Sequence, residues 1–465
     1  MQLSHTLGSM SVSFDDANLV SAAGLVPVMA LAQEAGLQEL ADEWLSVPTD
    51  KGANAGLKVS SLVAGMTAGA DSIDDMGLLR HGGTGKLFNA RYAPSTLGSF
   101  LRAFTFGHVR QLDAVASRFL AGLASRTPLL PAPEKGYTFV DVDDTIIEVH
   151  GYAKQGSGYG YSGVRGLNAL LATVSTAGSA PVIAAQRLRK GAANSARGAG
   201  KLVTEALAAI RKIGPGAKVL LRADSAFYGY ATLSAALKAG ADVSVTVRMD
   251  PAVKRAIATI AENAWTPIEY TDAVYDETAG AWISRAEVAE IPFTAFSSRK
   301  IAERVTGRLI VRRIPELNPK TDHGQATLFD THRFHAFFTT AGADSMDTVS
   351  ADKTHRAHAV IEQVNADLKD SALAHLPSGV FTANAAWLVL AVMAFNLTRA
   401  ASAAAGNGLA KARSGTIRRK LINIPARPAS SARKILLHLP RNWPWQTAFR
   451  HLFAAVLKPS AAAPA

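Results

Sequence analysis

Three carboxylates, Asp141, Asp143 and Asp144, fall within four positions at the close of the β-branched, apolar run 139–145 (FVDVDDT). A strand that buries one face cannot easily hold so much like charge. Burying it costs several kcal/mol unless a proton or a cation compensates. A divalent metal is the most economical compensation. A second apolar run, 219–225 (VLLRADS), ends on Asp224, and a third segment, 355–369, reads as a helix with Glu362 in a polar stripe. Two strand-borne Asp and one helix-borne Glu, in that order, suggest metal-dependent phosphoryl transfer. Magnesium takes hard oxygen ligands in octahedral geometry, and paired ions can serve both the attacking and the leaving oxygen of a displacement. Asp143, Asp224 and Glu362 could fill the minimum set for such a pair. Neighbouring parallel strands would bring the two Asp together, with the Glu362 helix packed across the same sheet.

That helix gains support from spacing. His355, His358, Glu362, Asn365 and Lys369 follow three- and four-residue steps and so share one helical face, with Val360, Ile361, Val364 and Leu368 mostly on another. An exposed polar face of an ordinary amphipathic helix would look the same. A zinc site from His355, His358 and Glu362 needs a further ligand and lacks the usual His-Glu-x-x-His spacing.

The elements that must position these residues can be read in outline. Residues 1–130 look helical: 25–45 has helical apolar spacing, and Ser95-Thr96 can cap a helix to about 106. Arg102, His108 and Arg110 on or just after it make this module a candidate DNA contact, or a plain packing domain. Pro128, Pro131 and Pro133 mark a linker. Strands at about 138–149, 167–174 and 181–187 follow, then a helix at 197–212 stopped by Gly214-Pro215-Gly216, a strand at 218–222, a helix at 231–239 and a strand at 242–247. This order is that of a ribonuclease H-like α/β core, spanning 131–261. Residues 262–340 read as an all-β insertion before the Glu. The core resumes over 341–410, including a buried helix at 382–401. The apolar run 385–395 is too short to span a bilayer, so no membrane partner is expected. The Gly-rich stretch 156–166, with Tyr152, Tyr159 and Tyr161, lacks the Gly-Lys-Ser/Thr ending of a phosphate loop and reads as a flexible or DNA-contacting loop beside the site.

Charge is distributed unevenly. No Asp or Glu follows Asp370, whereas 12 Lys or Arg do, so the whole formal excess of +12 lies in the last 95 residues. The prolines there suggest a partly looped segment, 411–465, suited to a polyanion. Cysteine is absent, which excludes disulfides and thiolate metal sites. The start, MQLSH, has no basic and apolar leader pattern.

Together the runs Asp141-Val-Asp-Asp-Thr, Arg222-Ala-Asp-Ser-Ala-Phe and the segment from His355 to Lys369 resemble bacterial insertion-sequence transposases of the DDE class, within the ribonuclease H-fold group that carries a β-strand insertion before the Glu. The likeness spans about 139–396. It implies Asp143, Asp224 and Glu362 as catalytic and metal-binding residues, with Asp141 and Asp144 as rivals for the first position. It implies two Mg2+ ions, replaceable by Mn2+, double-stranded DNA as partner (the element's terminal repeats and a target), a homodimer on paired ends, and a nucleoid-associated place in the bacterial cytoplasm. The group's helix signature has Tyr and Arg where this chain has His355 and His358, with Arg356 nearby; Glu362 and Lys369 match. His355, Arg356, His358 and Lys369 are therefore candidate phosphate contacts. Trp265 and Trp282 are candidates for stacking on a DNA base, or for filling the core of the β insertion. Rival readings are a haloacid dehalogenase-type phosphatase with Asp141 as nucleophile and Asp143 as acid/base, a nuclease that cuts without joining, and a non-catalytic, transposase-derived DNA-binding protein.

Overall fold

The computed structural model describes residues 1–48, 50–133, 136–151, 153–214, 218–276, 281–315, 332–406, 408–432 and 434–457; the side chains of 269–274, 276, 281–285 and 315 fall outside the description. It is a mixed α/β structure. Ten strands form one large sheet: β1 (Tyr137–Glu148), β2 (Gly158–Tyr159), β3 (Arg165–Ser175), β4 (Val182–Lys190), β5 (Lys218–Ala223), β6 (Asp242–Thr246), β7 (Thr266–Asp276), β8 (Ala281–Ala295), β9 (Val305–Pro315) and β10 (His332–Thr339). Two more, β11 (Arg427–Ser431) and β12 (Lys434–His438), pair only with each other.

The sheet centre has the order β4–β3–β1–β5–β6. The β4–β3 and β3–β1 pairs are antiparallel, and the β1–β5 and β5–β6 pairs are parallel. The parallel steps need crossovers, which the helices Ala199–Ile213 and Tyr230–Lys238 supply. Most of β1 as far as Val142, most of β3 and the end of β5 are buried because both faces of a central strand are covered.

The stretch read as an insertion extends this same sheet. β10 pairs with β6, and β9, β8 and β7 follow outward. The junction is sealed by Thr340, whose Oγ1 accepts from the Val243 N–H and donates to Asp242.

The long helix Phe381–Ala405 is buried along most of its length. By length and composition it could cross a membrane, yet nearly all of it is enclosed by protein. Asn396 fixes it to the sheet, accepting from the Ile183 N–H and donating to the Ile183 carbonyl. One apolar cluster runs from Leu25 to Leu452 and draws on all five sequence stretches.

Two regions read from the sequence take definite form here. The basic C-terminal stretch is largely folded: Ile417, Leu421, Ile422, Phe449 and Leu452 are in the core, and Val20 bridges Ala426. The N-terminal basic residues are committed internally. His108 Nδ1 accepts from the Thr105 N–H in a capping box, and Arg110 pairs with Asp113 at 2.5 Å and Glu205 at 2.6 Å. Arg102 bonds Ser99 on its own helix.

Candidate active site

β1 and β5 are parallel neighbours in the register Asp141↔Arg222 and Val142↔Ala223. Asp143 and Asp224 are the next residue along each, so the apolar packing of two strands sets the two acids side by side. The three Asp of β1 then separate by the two-residue period of a strand: Asp141 and Asp143 take one face and Asp144 the other.

Asp141 is fully buried and held by Arg222 through two bonds of 2.7 and 2.8 Å, while Arg222 also donates to the Thr354 carbonyl. This acid is sealed in a bidentate ion pair. It is neither a candidate metal ligand nor a phosphatase nucleophile, because substrate cannot reach it. Asp144 accepts from Asn168 at 2.5 Å and from Arg189 at 2.6 Å. Arg189 is itself buried and fixed by Asn168 and the carbonyls of Asn194, Ser195 and Arg197. Asp144 is thus a compensated acid too.

Among the described residues, no cation is paired to Asp143. Its Oδ1 accepts from the Asp144 N–H at 2.7 Å and its Oδ2 from Asn365 Nδ2 at 2.9 Å. Burial is the main cause pushing its pKa up to about 7; the charges of Asp144, Asp224 and Glu362 push the same way, against the Asp144 N–H. Glu362 and Asp224, remote in sequence, therefore both act on Asp143. Asp224 is exposed at the tip of β5, and its carboxylate caps the short turn Ser225–Phe227 by accepting from the Ala226 N–H at 3.0 Å. Its pKa is raised, first by desolvation and then by Asp144.

The Glu362 segment departs from a single helix. Helix Thr348–Arg356 ends, a 3₁₀ turn covers Ala357–Ala359, and helix Val360–Lys369 begins. A 3₁₀ turn rotates about 120° per residue against 100° in an α-helix, so three residues swing the face by roughly 60°. His355 consequently leaves the Glu362 face. It is buried, stacks on Phe337 at 4.0 Å between ring centroids, and both ring nitrogens bond hydroxyls, Ser244 and Thr246, at 2.9 Å. Burial holds its pKa well below the ordinary value, so it is neutral. His355 is an anchor for this segment and has no nitrogen left for phosphate or zinc.

His358 stays half-buried, bonded through Nδ1 to the His355 carbonyl and close enough to Asp224 to lower its pKa. Arg356 pairs with Asp352 at 2.8 Å. Lys369 is exposed near Asp143; desolvation lowers its pKa and the Asp143 charge opposes that. Trp265 is committed to packing, with the Arg313 guanidinium 4.4 Å from its ring centroid and Phe334 at 6.1 Å. Trp282 lies on β8 opposite Tyr275, and its side chain is outside the described residues.

Asn365 is the residue that sequence reading placed on the stripe without giving it a role. It is buried, it donates to Asp143, and its Oδ1 has no partner. Whether this centre suits a cation can be judged from its donors. Asp143, Asp224 and Glu362 offer hard oxygens with no cation paired to them among the described residues, and Asn365, bonded to Asp143, carries an unpartnered amide oxygen, which fits magnesium in chemical type. Among the described residues, no three His, Cys, Asp or Glu side chains form a preformed metal cluster.

The family described as Transposase DDE domain group 1 matches residues 5–461. The chain belongs to this family and is a DDE-class transposase. Such enzymes act on DNA and depend in general on divalent metal. No curated protein shows a significant match to the chain.

Proposed function

We propose that this transposase cuts DNA at the ends of an insertion sequence and joins the freed ends to a target, with Asp143, Asp224 and Glu362 as its acidic triad. One observation carries the reading: among the described residues, Asp143 is the Asp of β1 that no cation pairs, and the charges that raise its pKa include Asp224 and Glu362. Functional acids are often held in such unfavourable company. The order β4–β3–β1–β5–β6, with its antiparallel and parallel steps, supports a ribonuclease H-like core. On that reading, residues 262–340 are a β-strand insertion fused to the core sheet, 1–130 a helical N-terminal unit, and 411–465 a basic unit that adds affinity for DNA.

Asp143, Asp224 and Glu362 would hold two Mg2+ ions, with Mn2+ as a substitute. Such ions activate an attacking oxygen and neutralise a leaving one. The chemistry then balances in two displacements. Water attacks the phosphorus at the element end, the bond to the 3′ oxygen breaks, and a 3′ hydroxyl is released. That hydroxyl attacks a target phosphodiester, whose own 3′ oxygen leaves. Asn365 orients Asp143 by its 2.9 Å hydrogen bond. Lys369, close to Asp143, and His358, close to Asp224, would steady the phosphate, with Arg356 two residues before His358. Exposed Lys411, Arg413, Arg419, Arg427, Lys434, Arg441 and Arg450 supply the positive surface for duplex DNA. Assembly as a homodimer on paired ends, in the nucleoid of a bacterial cytoplasm, follows from the family resemblance. The phosphatase reading fails on the burial of Asp141.

The test uses DNA that flanks the gene. The wild-type protein in Mg2+ should cleave at short inverted repeats. Asp143→Ala, Asp224→Ala and Glu362→Ala should each bind that DNA normally without cleaving it. Full cleavage by any one of them removes that residue from the triad.

A further inference from the structure

The ladder between β8 and β9 ends at the pair Ala295↔Val305, and the loop 296–304 joins the two strands. Phe296, which opens that loop, has a φ of 59°. This is the left-handed region, where a bulky side chain is rare. Among the described residues, the other non-glycine residues with positive φ are Asn54, Ala90, Ala432 and Asn442, each an amide or an alanine. We infer that Phe296 is a positioning residue for Asp224: its ring pins the joint behind the turn that Asp224 caps. The inference rests on the transposase reading and deepens it, by naming what holds one acid of the triad in place.

The ring accounts for the strain. A turn alone would form more easily on glycine, which reaches positive φ without a clash. Phe296 instead stacks on Tyr228, with 5.3 Å between ring centroids and 23° between planes. It also meets Tyr230 edge-on, at 5.8 Å and 87°. Arg299 completes the group: its guanidinium lies 4.7 Å from the Tyr230 centroid, and its backbone N–H donates to the Phe296 carbonyl at 2.9 Å. A strained residue persists where its surroundings over-determine it, and such residues cluster where a protein does its chemistry.

The path from this ring to the acid is short. Asp224 caps the turn Ser225–Phe227 through the Ala226 N–H. Tyr228 closes the same turn, its N–H donating to the Ser225 carbonyl at 3.3 Å. Helix Tyr230–Lys238 then begins, with Gly229 alone between the two tyrosines. A Cβ at Gly229 would meet nothing, so no packing there restrains the backbone. Such a joint lets a turn swing against the helix that follows it. Phe296 bridges the joint by touching the ring on either side. Because Asp224 is exposed and bonded to its own turn, its direction is set by how firmly that turn is held. The loop between β8 and β9 thereby ties the far strands of the sheet to the acid at the tip of β5.

Three variants of the full chain test this. Phe296→Gly and Phe296→Asn remove the ring and suit the backbone, whereas Phe296→Tyr keeps the ring. Hydrogen exchange read by mass spectrometry reports on the joint without any chemistry. Single-turnover cleavage in Mg2+ of the DNA that flanks the gene reports on Asp224. In the Gly and Asn variants, exchange across residues 224–230 should quicken by about tenfold while β3 exchanges as in the wild type, the mark of a local opening. Their cleavage rate should fall by about tenfold at an unchanged half-saturating DNA concentration, because a small misplacement of a reacting group is costly. Phe296→Tyr should match the wild type in both measurements. The inference is overturned if exchange across 224–230 does not change, if it quickens equally throughout the chain, or if it quickens without loss of rate. It is also overturned if the half-saturating concentration rises at an unchanged rate, which would make the ring a DNA contact. A wild type that never cleaves would sink the transposase reading instead, and exchange alone would then decide whether Phe296 pins the turn.

Discussion

Two half-buried carboxyls, Asp113 and Asp143, start from the same position and end in opposite company. Burial pushes both pKa values up, Asp113 to about 6 and Asp143 to about 7. Around Asp113 the next influences are Arg110 and Arg187, which pull it back, and Gln186 donates to it at 2.6 Å. That network ties helix Phe106–Arg126 to β4 and helix Ala199–Ile213. Around Asp143 the charges that follow are Asp144, Asp224 and Glu362, and they push it further up. Folding alone would select against the second arrangement. The sign of the neighbours therefore separates an acid that holds the structure together from one kept for chemistry. Asp141 adds to the comparison: two residues from Asp143 on the same strand face, it has Arg222 to itself.

The largest expected effect lies at the triad. Asp143→Ala, Asp224→Ala or Glu362→Ala should reduce cleavage by at least about a thousandfold, a loss of roughly 4 kcal/mol in transition-state stabilisation. DNA affinity measured by gel shift should change less than about threefold. Arg222→Ala comes next. It strands Asp141 in the core, and removing one partner of a buried pair costs about 3–5 kcal/mol, read as a lower urea midpoint. If Arg222→Ala proved as stable as wild type, the distinction between the two acids of β1 would dissolve.

A smaller effect of opposite sign is expected at Asp143. Without divalent metal, Asp143→Asn should stabilise the protein by about 1 kcal/mol, because it removes a repelled carboxylate; differential scanning calorimetry would register the gain. Asp113 sharpens the contrast through pH. Its folded pKa, about 6, exceeds its ordinary value of 3.8. The folded state then binds the extra proton, so Asp113's contribution is fully present below pH 4 and is lost as pH rises through 6. Asp113→Asn should flatten the stability profile between pH 4 and 6 by about 1–2 kcal/mol. An unchanged slope would mean that its arginines, rather than burial, control it.

Much of this was legible because it depends on short-range pattern. Apolar strand runs gave β1, β3, β5 and β6 to within a few residues, and the chain order of strands and helices gave their crossovers. The choice among Asp141, Asp143 and Asp144 was not legible, since it depends on which strand lies alongside. There was a faint signal: Arg222 stands two residues before Asp224, as Asp141 stands two before Asp143, which is the offset that a parallel register turns into a pair. The 3₁₀ turn at Ala357–Ala359 has no local cause, as it contains neither Gly nor Pro. It follows from His355 being pinned between Ser244, Thr246 and Phe337, contacts made across more than a hundred residues of sequence for the two hydroxyls. The folded C-terminal stretch was obscured by its charge and prolines, though Leu421, Ile422, Phe449 and Leu452 were visible as apolar positions throughout.

The account stands or falls on Asp143, Asp224 and Glu362 serving one cation centre, and a Mn2+ titration of the full chain followed by electron paramagnetic resonance addresses that directly. The expected result is binding by the wild type that Asp143→Asn, Asp224→Asn and Glu362→Gln each weaken at least tenfold, with Asp113→Asn unchanged. Wild-type affinity retained by the Asp224 or Glu362 variant would contradict it.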